Sequence, residues 1–173
     1  QSGSRLLSSG AMIFVSGLGN IHLADADAGG WLDAGAGGNV TLDTVKARFL
    51  TIRAGAIDGG FRPGDVLITN AATATGGVTI QAGRDVTIGA GARLVSDTFV
   101  SIATGDDIIV GTGALVRGAN NPPPEVGYGG PVDPINFFSQ VRLSAGAIDA
   151  GRRAAGEVAS ILINGAVEAP DRT

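Results

Sequence analysis

The stretch Val78-Thr79-Ile80-Gln81-Ala82-Gly83-Arg84-Asp85 is followed by Val86-Thr87-Ile88 and then by Gly91-Ala92-Arg93-Leu94-Val95. Twenty-two residues on, the text returns as Val100-Ser101-Ile102-Ala103-Thr104-Gly105-Asp106-Asp107, Ile108-Ile109-Val110 and Gly113-Ala114-Leu115-Val116. All three apolar triplets keep their offsets. Within each triplet apolar and variable residues alternate, which is the period of a strand with one buried face. The variable position is often Thr or Ser, as suits an exposed strand surface. A fixed repeat of three short strands separated by Gly-bearing turns predicts stacked, mutually supporting units.

Working outward, the opening phrase recurs as Leu50-Thr51-Ile52-Arg53-Ala54-Gly55 and as Val141-Arg142-Leu143-Ser144-Ala145-Gly146. These two copies share a longer text, 54–60 against 145–151. The N-terminal part is looser, with triplets at Ile21-His22-Leu23 and Val40-Thr41-Leu42. An Asn or Asp stands just before many second strands: Asn20, Asn39, Asp65, Asp85 and Asp107. Such side chains bond nearby backbone amides and close sharp corners. No stretch shows sustained helical periodicity, although Arg152 to Ser160 is compatible with one short helical turn.

These patterns predict an all-β chain: a right-handed parallel β-helix, or β-solenoid, of triangular section. It has three short strands per 22-residue coil and about six coils, starting near residues 4, 21, 50, 78, 100 and 141. Residues 1–173 form one such domain, and 119–140 form an insertion that projects from one coil. Val78, Val86 and Val100 are expected to point inward.

Composition agrees. Of 173 residues, 29 are Gly and 26 Ala, which permits tight corners and a narrow core. The net charge is −4, with one lysine, Lys46, and scattered arginines. Phosphate neutralisation needs clustered cations, so nucleic acid is not the expected partner. Cysteine is absent, which excludes disulfides, zinc–thiolate sites and thiol catalysis. No apolar run reaches the ~18 residues that span a bilayer. The chain starts at Gln1 with no signal segment, as expected of a mature protein or of a piece of a larger one.

Residues 78–92 resemble the repeats of filamentous haemagglutinin-type exoproteins, the large, cysteine-poor β-helical adhesins exported by two-partner secretion. The resemblance is good over 50–118, partial over 141–169 and weak over 1–49. The Asn-Pro-Asn-Gly-type motif of that family's secretion domain is missing, so the resemblance implies shaft, not secretion signal. It further implies a secreted protein at a bacterial cell surface, with an outer-membrane transporter as export partner, and a role in attachment, aggregation or biofilm, or as a stalk presenting a toxin.

The chemical candidates are few. Gly105-Asp106-Asp107 matches one element of the polygalacturonase signature, but the other elements are absent and Asp107 already serves as a corner residue. Asp106 alone cannot supply both acid and base. His22, the only histidine, is expected at an outward position without a Ser or Cys partner. Asp25, Asp27 and Asp33 are close enough in sequence to suggest calcium, but the calcium-binding repeat is missing and a solvated loop is the favoured reading. Thr41, Thr51, Thr79, Thr87 and Ser101 offer one hydroxyl per strand, short of a flat Thr array.

The most unusual segment is 119–140, with five of the seven prolines, the only tyrosine and two of the six phenylalanines. Long loops in compact repeats often carry function. Tyr128, Phe137 and Phe138 are therefore the expected binding residues, for a glycan or protein on a cell surface or for neighbouring copies of the chain. The alternative is that Phe137 and Phe138 lie back over the solenoid. No cofactor, metal or catalytic residue is expected. The expected function is a non-catalytic structural or adhesive module. A carbohydrate-active β-helix enzyme is the alternative, to be recognised by two or more carboxylates around an exposed groove. With no capping helix in sight over Gln1–Leu18 or after Ile163, the chain is expected to belong to a longer rod or to stack end to end.

Overall fold

The computed structural model describes residues 5–10, 12–57, 60–119, 140–148 and 158–169. Among these there is no helix. The expected helical turn falls on 152–160, of which 158–160 are non-helical and the rest lie outside the described residues.

Two sheets carry the fold, and every pairing within them is parallel. The first has six strands, stacked in the order Ile13–Gly17, Trp31–Ala36, Phe49–Ala54, Val78–Ala82, Phe99–Thr104 and Gln140–Ser144. The second begins with Arg5–Ser8, Ile21–Ala28, Val40–Ala47 and Val66–Ala74. It then divides into two columns: Val86–Ile88, Ile108–Val110, Ile161–Ile163 and Arg93–Ser96, Leu115–Gly118, Ala166–Glu168. We call one level of this stack a rung.

The register places like on like. Val78 stands opposite Val100, Val86 opposite Ile108 and Arg93 opposite Leu115, each 22 residues apart. The repeat read from the sequence is thus the physical spacing of these two rungs. In the second sheet Ile21, Val40, Val66, Val86, Ile108 and Ile161 form one column. Ala26, Val45, Ala72, Leu94 and Val116 form another. Val78, Val86 and Val100 are fully buried, as expected. The central strands alternate buried and partly exposed residues, so the core is a set of stacked aliphatic columns.

The N-terminal phasing differs from the expectation. Ile21-His22-Leu23 does not open a rung; it pairs with Val40–Leu42 in the second sheet. The first-sheet positions below Leu50 are held by Leu32 and Ile13. Leu32 and Leu50 are 18 residues apart and Leu50 and Val78 are 28, so the 22-residue spacing is local. One reason is the second corner. In Ile21–Ala28, Val40–Ala47 and Val66–Ala74 the chain runs on as one long strand, and a bulge at Asp43 facing Thr69 and Asn70 turns it. Further along, that corner becomes a turn containing Gly91 or Gly113, both at positive φ near +70°. The other reason is an excursion at Gly55, φ +74°, into the short antiparallel pair Ala56–Ile57 and Gly60–Phe61. Gly146, its counterpart in the repeated text, has φ +69°.

Candidate functional site

The Asx residues form a continuous column, though not by local bonding. The Asn20 side-chain oxygen accepts the backbone N–H of Asn39 at 2.9 Å, and Asn39 accepts that of Asp65 at 2.9 Å. Asp65 accepts from Asp85 at 3.3 Å and Asp85 from Asp107 at 3.0 Å. Asp107 accepts both the N–H (2.7 Å) and the hydroxyl (2.9 Å) of Ser160. Each side chain therefore caps the next rung, and not its own turn. In return Asn39, Asp65, Asp85, Asp107 and Ser160 each offer the carbonyl to the strand that starts on the rung below, as in Val86 N–H to Asp107 O at 3.0 Å. Ser160 fills this position just before Ile161, which an Asn/Asp pattern alone misses.

Asp85, Asp106 and Asp107 bring carboxylate oxygens within 4.8 Å of one another. Asp85 and Asp107 are committed to the amides above, and Arg84 Nε is 3.5 Å from Asp85 Oδ2. Arg84 also grips Asp65 through both of its carboxylate oxygens. This cluster is a corner device.

The other candidates disperse. Asp25 and Asp27 lie on Ile21–Ala28 and Asp33 on Trp31–Ala36, in different sheets, so the loop reading is corrected: all three are half-buried strand residues. Asp33 accepts from Arg53 at 3.2 Å. The hydroxyls also separate: Thr51, Thr79 and Ser101 share one column, Thr41 and Thr87 another. His22 is exposed, with Nε2 2.8 Å from Asp43 Oδ2. Thr69 donates its hydroxyl to Asp43 Oδ1 at 2.5 Å. That hydroxyl first, and His22 second, hold the Asp43 carboxyl below its ordinary range. Here the carboxylate sits between imidazole and hydroxyl, whereas an acyl-transfer triad needs the imidazole in the middle. Tyr128, Phe137 and Phe138 lie outside the described residues. The roots of their segment are described: Ala119 N–H bonds Ser96 O at 2.8 Å, and Gln140 stands opposite Phe99.

Those roots lie on the third corner, which joins the second sheet back to the first. A groove of about 490 Å³ runs there across four rungs. Its polar lining comprises Asp27, Lys46, Arg48, Thr73, Thr75 and Asp97. Asp27, Lys46 and Thr73 succeed one another in register, followed by Val95. The corner is tied rung to rung by Arg48 N–H to Gly30 O at 2.8 Å, Thr75 N–H to Ala47 O at 3.2 Å and Asp97 N–H to Ala74 O at 3.0 Å.

Beside the groove stands an aromatic column. Trp31 and Phe49 face each other in register, with ring centroids 4.9 Å apart and planes tilted by 39°. The Arg48 guanidinium carbon lies 5.6 Å from the Phe49 centroid, linking column to groove. Gly77 takes the next position, and the Phe99 ring covers it. Trp31 is 50% exposed and Phe99 36%. Each of these residues immediately precedes a first-sheet phrase: Trp31-Leu32, Phe49-Leu50, Gly77-Val78, Phe99-Val100. That signal is readable once the N-terminal phase is right.

Asp27 and Asp97 meet the expectation of two carboxylates beside a groove. They are three rungs apart, however, which at ~4.8 Å per strand is ~14 Å. Glycosidase carboxylate pairs stand about 5–9.5 Å apart, so this pair lacks that spacing. No family model, curated protein or solved structure matches the chain.

Proposed function

We propose that the chain is a non-catalytic shaft module, wound as a right-handed parallel β-helix of triangular section with about six coils. The in-register stacking supports the winding, and parallel strands joined by crossovers are almost always right-handed. In this reading the protein is a secreted, adhesive or fibre-forming element of a bacterial surface protein of filamentous haemagglutinin type. The repeated texts at 78–95 and 100–116 support that assignment.

One observation carries the shaft reading. Ile161 and Ile163 stand directly over Ile108 and Val110, which are 0% exposed, yet they are themselves 44% and 47% exposed. The apolar column continues into this last rung, and among the described residues no further strand pairs over it. An open rung offers both unpaired backbone groups and apolar side chains. A further rung completes it, from the rest of a longer chain or from a second copy.

Sedimentation equilibrium and electron microscopy across a concentration series test this. Concentration-dependent rods are expected from the native chain, and Ile161→Glu with Ile163→Glu should abolish them without loss of β circular dichroism. A strictly monomeric native chain at high concentration would remove end-to-end stacking from the reading.

A further inference from the structure

The third-corner groove and the aromatic column beside it are explained by neither the core nor the Asx column. We propose that together they bind a neutral linear polysaccharide, laid along the stack axis. This names a partner for the adhesive role above and rests on that reading, but it needs neither end-to-end stacking nor the segment at 119–140.

Three features select that ligand. The first is shape: the groove is lined by four successive rungs in register, so it suits an extended polymer spanning several repeats. Successive rungs are ~4.8 Å apart, close to the rise per ring of an extended pyranose chain. The second is the rail. Trp31 and Phe99 are both exposed aromatic residues in the column beside the corner. The C–H faces of sugar rings pack on such surfaces, and aromatic side chains supply large contact area at small entropic cost.

The third is charge. Asp27 and Asp97 balance Lys46 and Arg48. Among the described residues the side chains of Asp27, Lys46 and Asp97 have no hydrogen-bond or ion-pair partner, and the Arg48 guanidinium has only the Phe49 ring. Sugar hydroxyls both donate and accept, so they can satisfy carboxylates and cations together. An anionic polymer would meet no net positive field here, and a lipid surface would have to desolvate four charges. The corner hydrogen bonds already hold the groove in shape, so little ordering opposes binding.

Trp31 is the only tryptophan, so its fluorescence reports on the rail directly. The test titrates the full chain with purified neutral oligosaccharides (gluco-, manno- and galacto-series), with polygalacturonate and heparin as anionic comparators. A saturable change in Trp31 emission and a matching calorimetric isotherm are expected with at least one neutral series. Trp31→Ala should weaken binding by about tenfold or more, as for an anchoring aromatic. Lys46→Met, at an exposed position, should weaken it while leaving the circular dichroism spectrum unchanged. The proposal is overturned by silence with every neutral series up to millimolar sugar. Preferred, salt-sensitive binding of the anionic polymers overturns it too, as does native affinity in both variants. Sugar binding by a chain that never self-associates would preserve this inference and count only against stacking.

Discussion

The Asp85 carboxylate accepts the backbone N–H of Asp107 at 3.0 Å, 22 residues further along the chain. This bond joins two copies of the same repeat position, and it recurs from Asn20 to Ser160. Asp85→Ala leaves the partly buried Asp107 amide without an acceptor, so about 1–3 kcal/mol of stability should be lost. Asp85→Asn keeps a side-chain oxygen in place and should cost less. Urea unfolding of the two variants measures the difference; equal losses would contradict an acceptor role.

Val86 is fully buried between Val66 and Ile108. Val86→Asp places an unpaired charge in a narrow aliphatic column. Loss of folding is expected, beyond the ~4 kcal/mol that marks exceptional point mutants. Thr87→Asp, one residue on and on the outer side of the strand, should be tolerated. Circular dichroism and solubility of the pair check the register.

A Cβ on Gly77 would lie 2.2 Å from the Phe99 ring. Gly77→Ala should therefore cost about 1–3 kcal/mol by overpacking. In a Phe99→Ala background the same change should cost much less, and the double-mutant cycle measures the coupling. Additive losses would mean that the ring does not occupy the position above the glycine.

Asp43 gives the fold an acid-sensitive contact. Its carboxyl pKa is depressed, chiefly by the Thr69 hydroxyl and next by His22. A depressed pKa contributes stability that is present above the unfolded carboxyl's value and is lost as the pH falls through the folded one. Stability should therefore decline on acidification below the ordinary carboxylate range. Thr69→Val should move the Asp43 titration upward and shrink that decline. Carboxyl-carbon NMR titration of both proteins tests the sign, and the energetic effect should be small because the site is solvated.

Gly118 stands opposite Ser96, and Gln140 opposite Phe99, on adjoining rungs of the stack. Replacing 120–138 with a short Gly-Ser link is thus expected to leave the β circular dichroism intact. If Tyr128, Phe137 and Phe138 make the contacts proposed for them, cell attachment or rod association should fall sharply. Unchanged attachment and assembly would make the segment a tolerated insertion.

The sequence by itself determined the strand period, the parallel stacking of like on like, and the 22-residue spacing between the rungs of Val78 and Val100. Those follow from local alternation and from text repeated where the corners are alike. It also marked the Asx corners, because a residue that must recur on every rung leaves a column in the sequence. Only the tertiary structure decided the N-terminal phase. There a bulge at Asp43 replaces a glycine turn and the Gly55 excursion lengthens one rung, so equal residues no longer fall at equal spacing. Only the tertiary structure, too, showed the groove. Its lining comes from four separate stretches of the chain, at 27–29, 46–48, 73–75 and 95–97, and parallel stacking brings them to neighbouring rungs.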